Sequence, residues 1–446
     1  MTNAATASPS APVSSRTRQR ALLVGVVIVT ALLLAIVIAV LAVGGRPDPA
    51  ALRAAAITLD GPWTFRVGDD PGWAAPGIDE RGWETLDLTA PPGSHDGDVG
   101  LPGYVGGWMA HGHPGYQGYA WYRRMVDVPV GDRAWEVLGP TALDDGYELY
   151  WNGVRLGGSG RLGTAPRVVG VRPLRYALPA DAAGHRGVLA IRAYMQPGIP
   201  ASADGGGMHI APILAPRPVG DALYRVQWWR TVAGYIVDLV EPLAMFALAG
   251  LALAWRRRSG HPGFLGPAAI ALVLSALKRL ENATYAWTDL LSLPAYVGWM
   301  NIVLAPLGFS AWAIAWNRWC PRPWRWLDAT AAALAAAGIA GGAMQIAVLT
   351  RIDRLGVLAL LAVIAVRIAR EATMRVLALA TLAWVVVAQF PDELSELGVT
   401  GIWFPLGIGV SRTQYAYAVA IPLLAVLIVR TMAPQASTRL PELERE

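Results

Sequence analysis

The chain has 446 residues, of which 54% are hydrophobic and only 15% are charged. The charged fraction is below the roughly 25% of soluble domains, and the deficit lies in residues 226–433, because residues 51–225 have an ordinary soluble composition. The formal net charge of +5 does not indicate nucleic acid, since the arginines cluster at the ends of apolar runs, where a membrane explains them. Cys320 is the single cysteine, which excludes a disulfide within the chain.

The N-terminal segment predicts a transmembrane signal anchor at residues 21–43. This run contains no charged residue, and a helix needs about 20 residues to cross a bilayer core. The apolar region of a cleaved signal peptide is shorter, about 7–15 residues. Because Arg16, Arg18 and Arg20 precede the run, we expect residues 1–20 to form a cytoplasmic tail.

Residues 55–215 predict an all-β sandwich on the outer side of the membrane. Runs such as 120–130, 147–157 and 187–195 alternate polar and apolar residues and are separated by Gly, Pro, Asp and Asn, a pattern typical of antiparallel strands. Asn152 followed by Gly153 predicts a hairpin turn, since both residue types tolerate positive φ.

Several segments of this region resemble the galactose-binding-like jelly-roll domain that opens family 2 glycoside hydrolases. These segments are GPWTFRVGDDPGW (61–73), DERGWETLDL (79–88), GYAWYRRMVDVP (118–129), and the runs at 144–163 and 172–195. The resemblance implies a periplasmic jelly roll, and many such domains bind sugar while many others are structural. The hydrolases carry their paired carboxylates in a separate barrel domain, for which this chain has no room, so we expect no catalytic residues and no enzymatic activity.

Aromatic residues in the Gly- and Pro-rich loops are the candidate ligand-binding residues, because an exposed ring can stack on a sugar beside an Asp or Asn. They are Trp73, Trp108, Tyr104, Tyr116 and Tyr119. Aromatic residues within the strands are instead expected in the core.

Histidine and aspartate residues also occur in the loop at 94–116. They are His95, Asp96, Asp98, His111 and His113. Their spacing fits no standard zinc pattern, so we expect solvated loop residues, no metal and no cofactor.

Residues 226–433 predict an all-α bundle of seven transmembrane helices. The expected spans are 229–255, 264–286, 294–316, 327–349, 354–370, 374–390 and 413–432. The arginine distribution favours a bacterial inner-membrane protein with both termini cytoplasmic, residues 45–225 periplasmic and residues 434–446 a short cytoplasmic tail. The span at 354–370 is short, and Arg367 would have to extend towards the membrane surface.

Charged residues within the apolar helices predict an intramembrane polar cluster, because an unpaired charge in lipid is costly. Asp238 and Glu241 are three residues apart and share one helix face. Lys278 and Arg279 lie at a similar expected depth on the next helix. We expect these four residues to pair, either to hold the helix register or to form a switch.

An exported jelly-roll domain followed by seven helices resembles bacterial seven-transmembrane receptors with diverse intracellular signalling modules. That resemblance implies a receptor that senses a periplasmic carbohydrate or protein ligand. Such receptors usually continue into a cytoplasmic output domain, and because only the short tail at 434–446 follows the last predicted helix, we expect signalling to a separate cytoplasmic effector. One alternative is a non-signalling, membrane-anchored carbohydrate-binding or envelope-assembly subunit, and another is a transporter. Against transport, the two halves of the bundle show no internal repeat and no paired broken helices.

Overall fold

The computed structural model describes residues 49–95, 103–131, 133–140, 142–170, 172–199, 201–259, 263–397, 399 and 412–431, with the backbone alone at 49–50, 229–234 and 258–259. The predicted anchor at 21–43 and both predicted tails lie outside the described residues, as do Asp96 and Asp98.

The first part of the described chain is a β-sandwich preceded by a short helix, α1 (Pro49–Ala54). Its strands are β1 Ile57–Thr58, β2 Pro62–Val67, β3 Glu84–Asp87, β4 Gly118–Asp127, β5 Trp135–Leu138, β6 Ala142–Leu143, β7 Gly146–Trp151, β8 Val154–Ser159, β9 Arg175–Ala177, β10 Arg186–Met195, β11 Met208–Ile210 and β12 Ile213–Pro216. A six-stranded antiparallel sheet has the order β3-β2-β4-β10-β7-β8, and a four-stranded sheet has the order β1-β12-β5-β9. Strands β11 and β6 form a separate pair.

The inner face of the six-stranded sheet carries a row of apolar residues across four strands. Phe65 is opposite Tyr122, which is opposite Ile191, which is opposite Leu149. All four are fully buried and pack against residues of the four-stranded sheet such as Leu214. The alternation seen in the sequence therefore corresponds to one buried face of a sandwich, as expected.

The predicted hairpin is confirmed. Asn152 and Gly153 connect β7 to β8 with φ values of 45° and 83°. Positive φ at both central residues matches the right-handed twist of the flanking strands, which explains why this pair of residues occupies the turn.

The second part of the described chain is helical. Its helices are α2 Arg217–Tyr235, α3 Val237–Ser259, α4 Leu265–Trp287, α5 Leu293–Trp319, α6 Arg325–Ala343, α7 Ala347–Glu371, α8 Arg375–Gln389, α9 Pro391–Glu396 and α10 Arg412–Thr431. Contacts between neighbours close a ring in the order α3, α4, α5, α7, α8, α10 and back to α3, while α6 packs outside against α5 and α7. The large hydrophobic core of the bundle lies inside this ring.

The first predicted bundle helix, 229–255, is two helices in the structure. Helix α2 begins directly after β12, so it crosses the boundary expected between the sandwich and the bundle. Its N-terminal half packs on the four-stranded sheet, where Leu223 contacts the cluster that includes Leu138 and Ile213. Asp221 also forms an ion pair with Arg175 of β9. The apolar contact of Leu223 and the ion pair of Asp221 together hold this half of α2 against the sandwich.

Helix α5 contains a π-helical turn at Gly298–Leu304. The amide of Ala305 donates to the carbonyl of Met300, five residues earlier. Pro306 follows at once, and a proline both lacks an N–H and displaces the preceding turn, so a π turn at this point accommodates it.

Helix α7 is longer than the predicted span at 354–370, because it also includes Arg351 and Asp353. Asp353 is buried against Gly338 of α6. Arg354 pairs with Asp392 and Glu393 near α9, with Nη2 2.8 Å from Asp392 Oδ2. Arg354 thus has two ionic partners on α9, and α7 begins two turns before the predicted span.

Arg367 reaches from α7 to the connection between α5 and α6. Its guanidinium is buried and donates to Asn317 Oδ1 at 3.1 Å and to the carbonyl of Arg322 at 2.6 Å, and it lies 3.9 Å from the ring centroid of Trp324. The side chain therefore holds the connection between α5 and α6.

Four helices of the described part are long and apolar enough to cross a bilayer, judged by length and composition. They are Val237–Arg257, Leu293–Trp319, Arg325–Ala343 and Arg412–Thr431, while the apolar helix Arg375–Gln389 is shorter. Helices α4 and α7 have the length to cross but carry internal charges, among them Arg279, which pairs with Asp238, and Asp353, which is buried against Gly338.

The contact between α6 and α7 generates a first prediction. A Cβ atom at Gly338 would overlap the Asp353 carboxylate, whereas one at Gly308 of α5 meets nothing within 4 Å. We expect Gly338→Ala to lower stability by about 1–3 kcal/mol, as overpacking does, and the matched Gly308→Ala to be neutral or slightly stabilising. Cys320 is buried and is the only cysteine, so the reaction of the unfolding protein with a thiol-reactive fluorophore measures Tm. Equal Tm values for both variants would contradict the close contact.

Candidate functional site

A buried polar cluster occupies the bundle close to the sandwich. Asp238 of α3 is fully buried, and its Oδ1 accepts hydrogen bonds from both Nε (2.8 Å) and Nη2 of Arg279 on α4. Its Oδ2 accepts from Asn282 Nδ2 at 2.6 Å, and Gln414 of α10 donates to Oδ1 at 3.4 Å. One carboxylate therefore joins three helices of the ring.

Glu241 lies one turn further along α3 on the same face. Its side chain is buried, with Oε2 4.0 Å from Arg279 Nε. Among the described residues neither carboxylate oxygen has a hydrogen-bond partner. The structure thus brings together Asp238, Glu241 and Arg279, as the spacing in the sequence predicts.

A second set of polar residues continues the cluster into the bundle. Ser275 Oγ accepts from Trp312 Nε1 and from the Tyr417 hydroxyl, both at 3.1 Å. Gln389 of α8 donates to the same oxygen at 3.3 Å and to Tyr417. These residues contribute hydrogen bonds from α4, α5, α8 and α10 to one point inside the ring.

Lys278 does not join this cluster. Its Nζ lies 5.9 Å from the ring centroid of Phe309 on α5, and its charged neighbours include Arg354 and Glu281. Consecutive residues of a helix are about 100° apart around its axis, so Lys278 and Arg279 cannot face the same partner. The expected cluster of four charged residues therefore contains three, namely Asp238, Glu241 and Arg279.

Sequence reasoning missed five neutral members of the cluster. They are Ser275, Asn282, Gln389, Gln414 and Tyr417. A usable signal was present, because Ser275, Arg279 and Asn282 follow each other at spacings of four and three residues, and Gln414 and Tyr417 are three apart. Polar residues at such spacings share one helix face, so each group indicates a polar stripe on an otherwise apolar helix.

A hydrogen-bonded and stacked chain connects the cluster to the sandwich. Asn282 Oδ1 accepts from the Tyr296 hydroxyl at 2.9 Å, and the Tyr296 ring stacks on Tyr285 with centroids 4.2 Å apart. A Cβ at Gly170 of the sandwich would lie 2.5 Å from the carbonyl oxygen of Tyr285. Only glycine permits this close approach, so Gly170 brings the sandwich into direct contact with the C-terminal end of α4.

Main-chain and ionic contacts fix the same interface. The amide of Leu293 donates to the carbonyl of Val168 at 2.9 Å. Arg172 donates to the carbonyl of Trp287 at 2.9 Å and pairs with Asp289. Arg167 donates to the carbonyl of Asp289 at 2.7 Å. The loop between α4 and α5 is therefore attached to the segment between β8 and β9.

Charged residues on the outer face of the six-stranded sheet lie close to this interface. Arg192 of β10 forms two hydrogen bonds to Asp69 at 2.7 and 2.5 Å and one to Glu148 at 3.0 Å. Its guanidinium lies 4.4 Å from the ring centroid of Tyr119, which packs on Tyr194 at 4.6 Å. Tyr194 belongs to the hydrophobic cluster that contains Leu293, with Tyr285 and Tyr296 packed against it. The contacts are continuous from Asp69 to Asp238.

The five aromatic residues proposed as ligand contacts have different environments in the structure. Trp108 is 0% exposed in the sandwich core, where its Nε1 donates to the carbonyl of Tyr116, so it has no free face for a sugar. The hydroxyls of Tyr116 and Tyr119 donate to the carbonyls of Tyr119 and Gly163, both at 2.7 Å. Trp73 lies under the guanidinium of Arg66 at 4.8 Å. These four residues hold the domain together.

Tyr104 has a different environment from the other four. Its half-buried ring stacks on His209 with centroids 4.6 Å apart, and its hydroxyl donates to the exposed Asp204 at 3.4 Å. His209 is held by Asp144 Oδ2 at 3.1 Å and by the carbonyl of Val105 at 2.9 Å. An aromatic ring beside an exposed carboxylate is the combination expected of a sugar contact.

Of the three histidines of the 94–116 loop, His111 and His113 have defined protein partners. His111 Nδ1 lies 2.8 Å from the carbonyl of Gly107, and His113 Nε2 lies 2.9 Å from Glu84 Oε2.

Two adjacent carboxylates near these loops have opposite pKa shifts. Burial alone would raise the pKa of Asp144, but the hydrogen bond and charge of His209, with the amide of Gly206, lower it below its ordinary value. Burial raises the pKa of Asp145 to about 7, against the amide of Gln196, and the neighbouring Asp144 charge adds to the rise. Asp145 also interacts electrostatically with Tyr285, so it lies at the interface with the bundle.

The Asp145 shift predicts a pH-dependent stability. A raised carboxyl pKa stabilises the fold below the unfolded value of 3.8, and this contribution is lost as the pH rises to about 7. We expect Asp145→Asn, which keeps an acceptor for the Gln196 amide and tolerates the φ of 67°, to raise Tm relative to wild type at pH about 8 more than at pH about 4. The difference should reach at least 2–4 °C, roughly the effect of 1 kcal/mol in a domain of this size.

The neighbouring substitution provides the control. Asp144→Asn removes a carboxylate whose pKa is lowered, so its cost should be larger at pH about 8 than at pH about 4. Parallel pH dependences for the two variants, followed by tryptophan fluorescence of the full-length protein, would refute the assigned shifts.

Comparisons with known proteins cover only part of the chain. No family model matches the chain, and no curated protein matches it. Among solved structures, Bacteroides uniformis β-glucuronidase 2 superposes over 36% of this chain and 17% of its own, with 18% identity and a TM-score of 0.27. A family 2 glycosyl hydrolase of Bacteroides cellulosilyticus covers 36% and 20% with 17% identity and a TM-score of 0.26, and Faecalibacterium prausnitzii β-glucuronidase covers 36% and 31% with 14% identity and a TM-score of 0.25. The chain spans less than a third of each enzyme, and these superpositions support no conclusion about its ligand or activity.

Proposed function

We propose that the protein is a receptor-like membrane protein whose outer sandwich and helical bundle act as one unit. The observation that supports this most strongly is the uninterrupted set of contacts from Asp69 and Arg192, through the tyrosines of the interface, to Asp238 and Arg279. A ligand that shifts the sandwich would act directly on the end of α4, because Gly170 leaves no space between the sandwich and Tyr285.

The buried cluster supplies an element that can have more than one arrangement. Arg279 contacts Asp238 and has Glu241 within 4.0 Å, so a small rotation of α3 or α4 changes which carboxylate it bonds. Buried ion pairs often contribute little net stability, since desolvation offsets their attraction. Retaining one at the junction of three helices favours a role in switching between packed states.

The proposed location follows the sequence and the apolar helices. We propose a bacterial inner membrane, with the sandwich in the periplasm and the helices α3 to α8 and α10 crossing the bilayer. The signal would pass to a separate cytoplasmic effector, and we assign no catalysis to the chain. The ligand is a carbohydrate or a protein, with Tyr104 and Asp204 as the contact region.

A test of the receptor role neutralises Asp238 and Arg279 together, so that neither member of this ion pair is left without its partner. We expect the double variant Asp238→Asn, Arg279→Gln to reproduce the change in the host transcriptome caused by deleting the gene, while its amount in the membrane stays at the wild-type level. The reason is that the sandwich remains intact while the switch loses both charges.

The matched control neutralises the surface pair of Arg351 and Glu396, whose side chains are both more than half exposed and should contribute little. A wild-type transcriptome in the cluster variant, together with an altered one in the deletion strain, would reject transmission through the bundle. That outcome would favour an anchored binding or envelope-assembly subunit.

A second test addresses the ligand class. If carbohydrate stacks on Tyr104, Tyr104→Ala should weaken glycan binding by the full-length protein about twofold to tenfold, since aromatic stacking contributes about 0.5–1.5 kcal/mol. Tyr104→Phe is the control, because it keeps the ring and removes only the hydrogen bond to Asp204. Binding would be measured on a glycan array with detergent-solubilised protein. The absence of binding to any glycan would exclude a carbohydrate ligand, and a protein ligand would then remain.

A further inference from the structure

Glu241 is the unusual member of the buried cluster. Its residue is 4% exposed, and both carboxylate oxygens lack a hydrogen-bond donor among the described residues. An ionised carboxylate normally accepts several hydrogen bonds, and an unpartnered one inside a protein is strongly disfavoured. Asp238, three residues away, receives the hydrogen bonds of Arg279, Asn282 and Gln414.

The charges of the cluster do not balance if both carboxylates are ionised. Asp238 and Glu241 would contribute two negative charges, and Arg279 supplies one positive charge. Among the described residues, the charged groups that act on Glu241 electrostatically are Arg279 and Asp238, and the neutral Tyr417 of α10 also lies near it. Lys278 points towards Phe309 and is no substitute. A net charge of −1 would therefore remain inside an apolar bundle.

We propose that Glu241 is a proton-binding site and holds an exchangeable proton that makes the cluster electrically neutral. The proton comes from water and adds to one carboxylate oxygen of Glu241, so that Arg279 pairs with Asp238 alone, as in the structure. Release of the proton leaves two ionised carboxylates that compete for one guanidinium. Proton binding and the pairing of Arg279 are thereby linked. The inference concerns the cluster itself and holds for a receptor and for an anchored binding protein alike.

Infrared spectroscopy of the full-length protein in lipid nanodiscs tests the proposal. A protonated carboxyl group has a C=O stretching band that an ionised one lacks. We expect a component of this band at neutral pH that is absent from Glu241→Gln. The same component should persist in Glu281→Gln and Asp353→Asn, which neutralise the other buried carboxylates of the bundle that have oxygen atoms without a partner. Gln matches Glu in size and carries no charge, so Glu241→Gln is expected to fold.

A measurement on the wild-type protein tests the proposal even if the Glu241→Gln variant misfolds. Labelling all glutamate carboxyl groups with ¹³C should shift the band component, whereas labelling aspartate should leave it in place. If the component is absent from wild type, or persists in Glu241→Gln, the proposal is overturned. A Tm that rises with sodium but not with choline in wild type, and not in Glu241→Gln, would also overturn it, because the balancing charge would then be a metal cation.

Discussion

The burial of Arg279 is the constraint on which the bundle depends. A guanidinium inside an apolar ring of helices requires an acceptor, and Asp238 supplies one only because α3 begins at Val237, directly after α2 ends. Asn282 and Gln414 then saturate the same carboxylate, which joins α4 and α10 to α3. Removing one partner would leave a buried charge without compensation, a loss of about 3–5 kcal/mol in comparable sites. The positions of three helices are therefore coupled through one carboxylate.

The same coupling extends into the sandwich because both faces of its larger sheet make contacts with other parts of the protein. The inner face packs on the four-stranded sheet, while the outer face carries Arg192 and Tyr119 and ends at the tyrosines of α4 and α5. Two domains joined only by a flexible linker would move independently. Here the direct contact at Gly170 and the hydrogen bonds of Arg172 make the end of α4 part of the sandwich surface.

Local sequence patterns correctly predicted the features that depend on a single strand or turn. The strand alternation and the Asn152–Gly153 turn depend on neighbouring residues, and both occur in the structure as predicted. Predictions that required partners from distant segments were less accurate. Arg367 is held by Asn317, 50 positions earlier, and Asp353 is covered by Gly338, so the surroundings of both charges depend on residues that a local pattern does not identify. Trp108 belongs to a loop, yet the core of the sandwich encloses it.

The sequence by itself determined the division into a β-rich part and an apolar helical part, and the shared face of Asp238 and Glu241, because composition and helix periodicity are local properties. Only the tertiary structure decided that Arg279 rather than Lys278 completes the cluster, since the rotation of α4 about its axis depends on all the helices it contacts. It also decided that the sandwich rests on Tyr285. That contact joins residues more than 100 positions apart, and no local pattern specifies which surfaces of two domains meet.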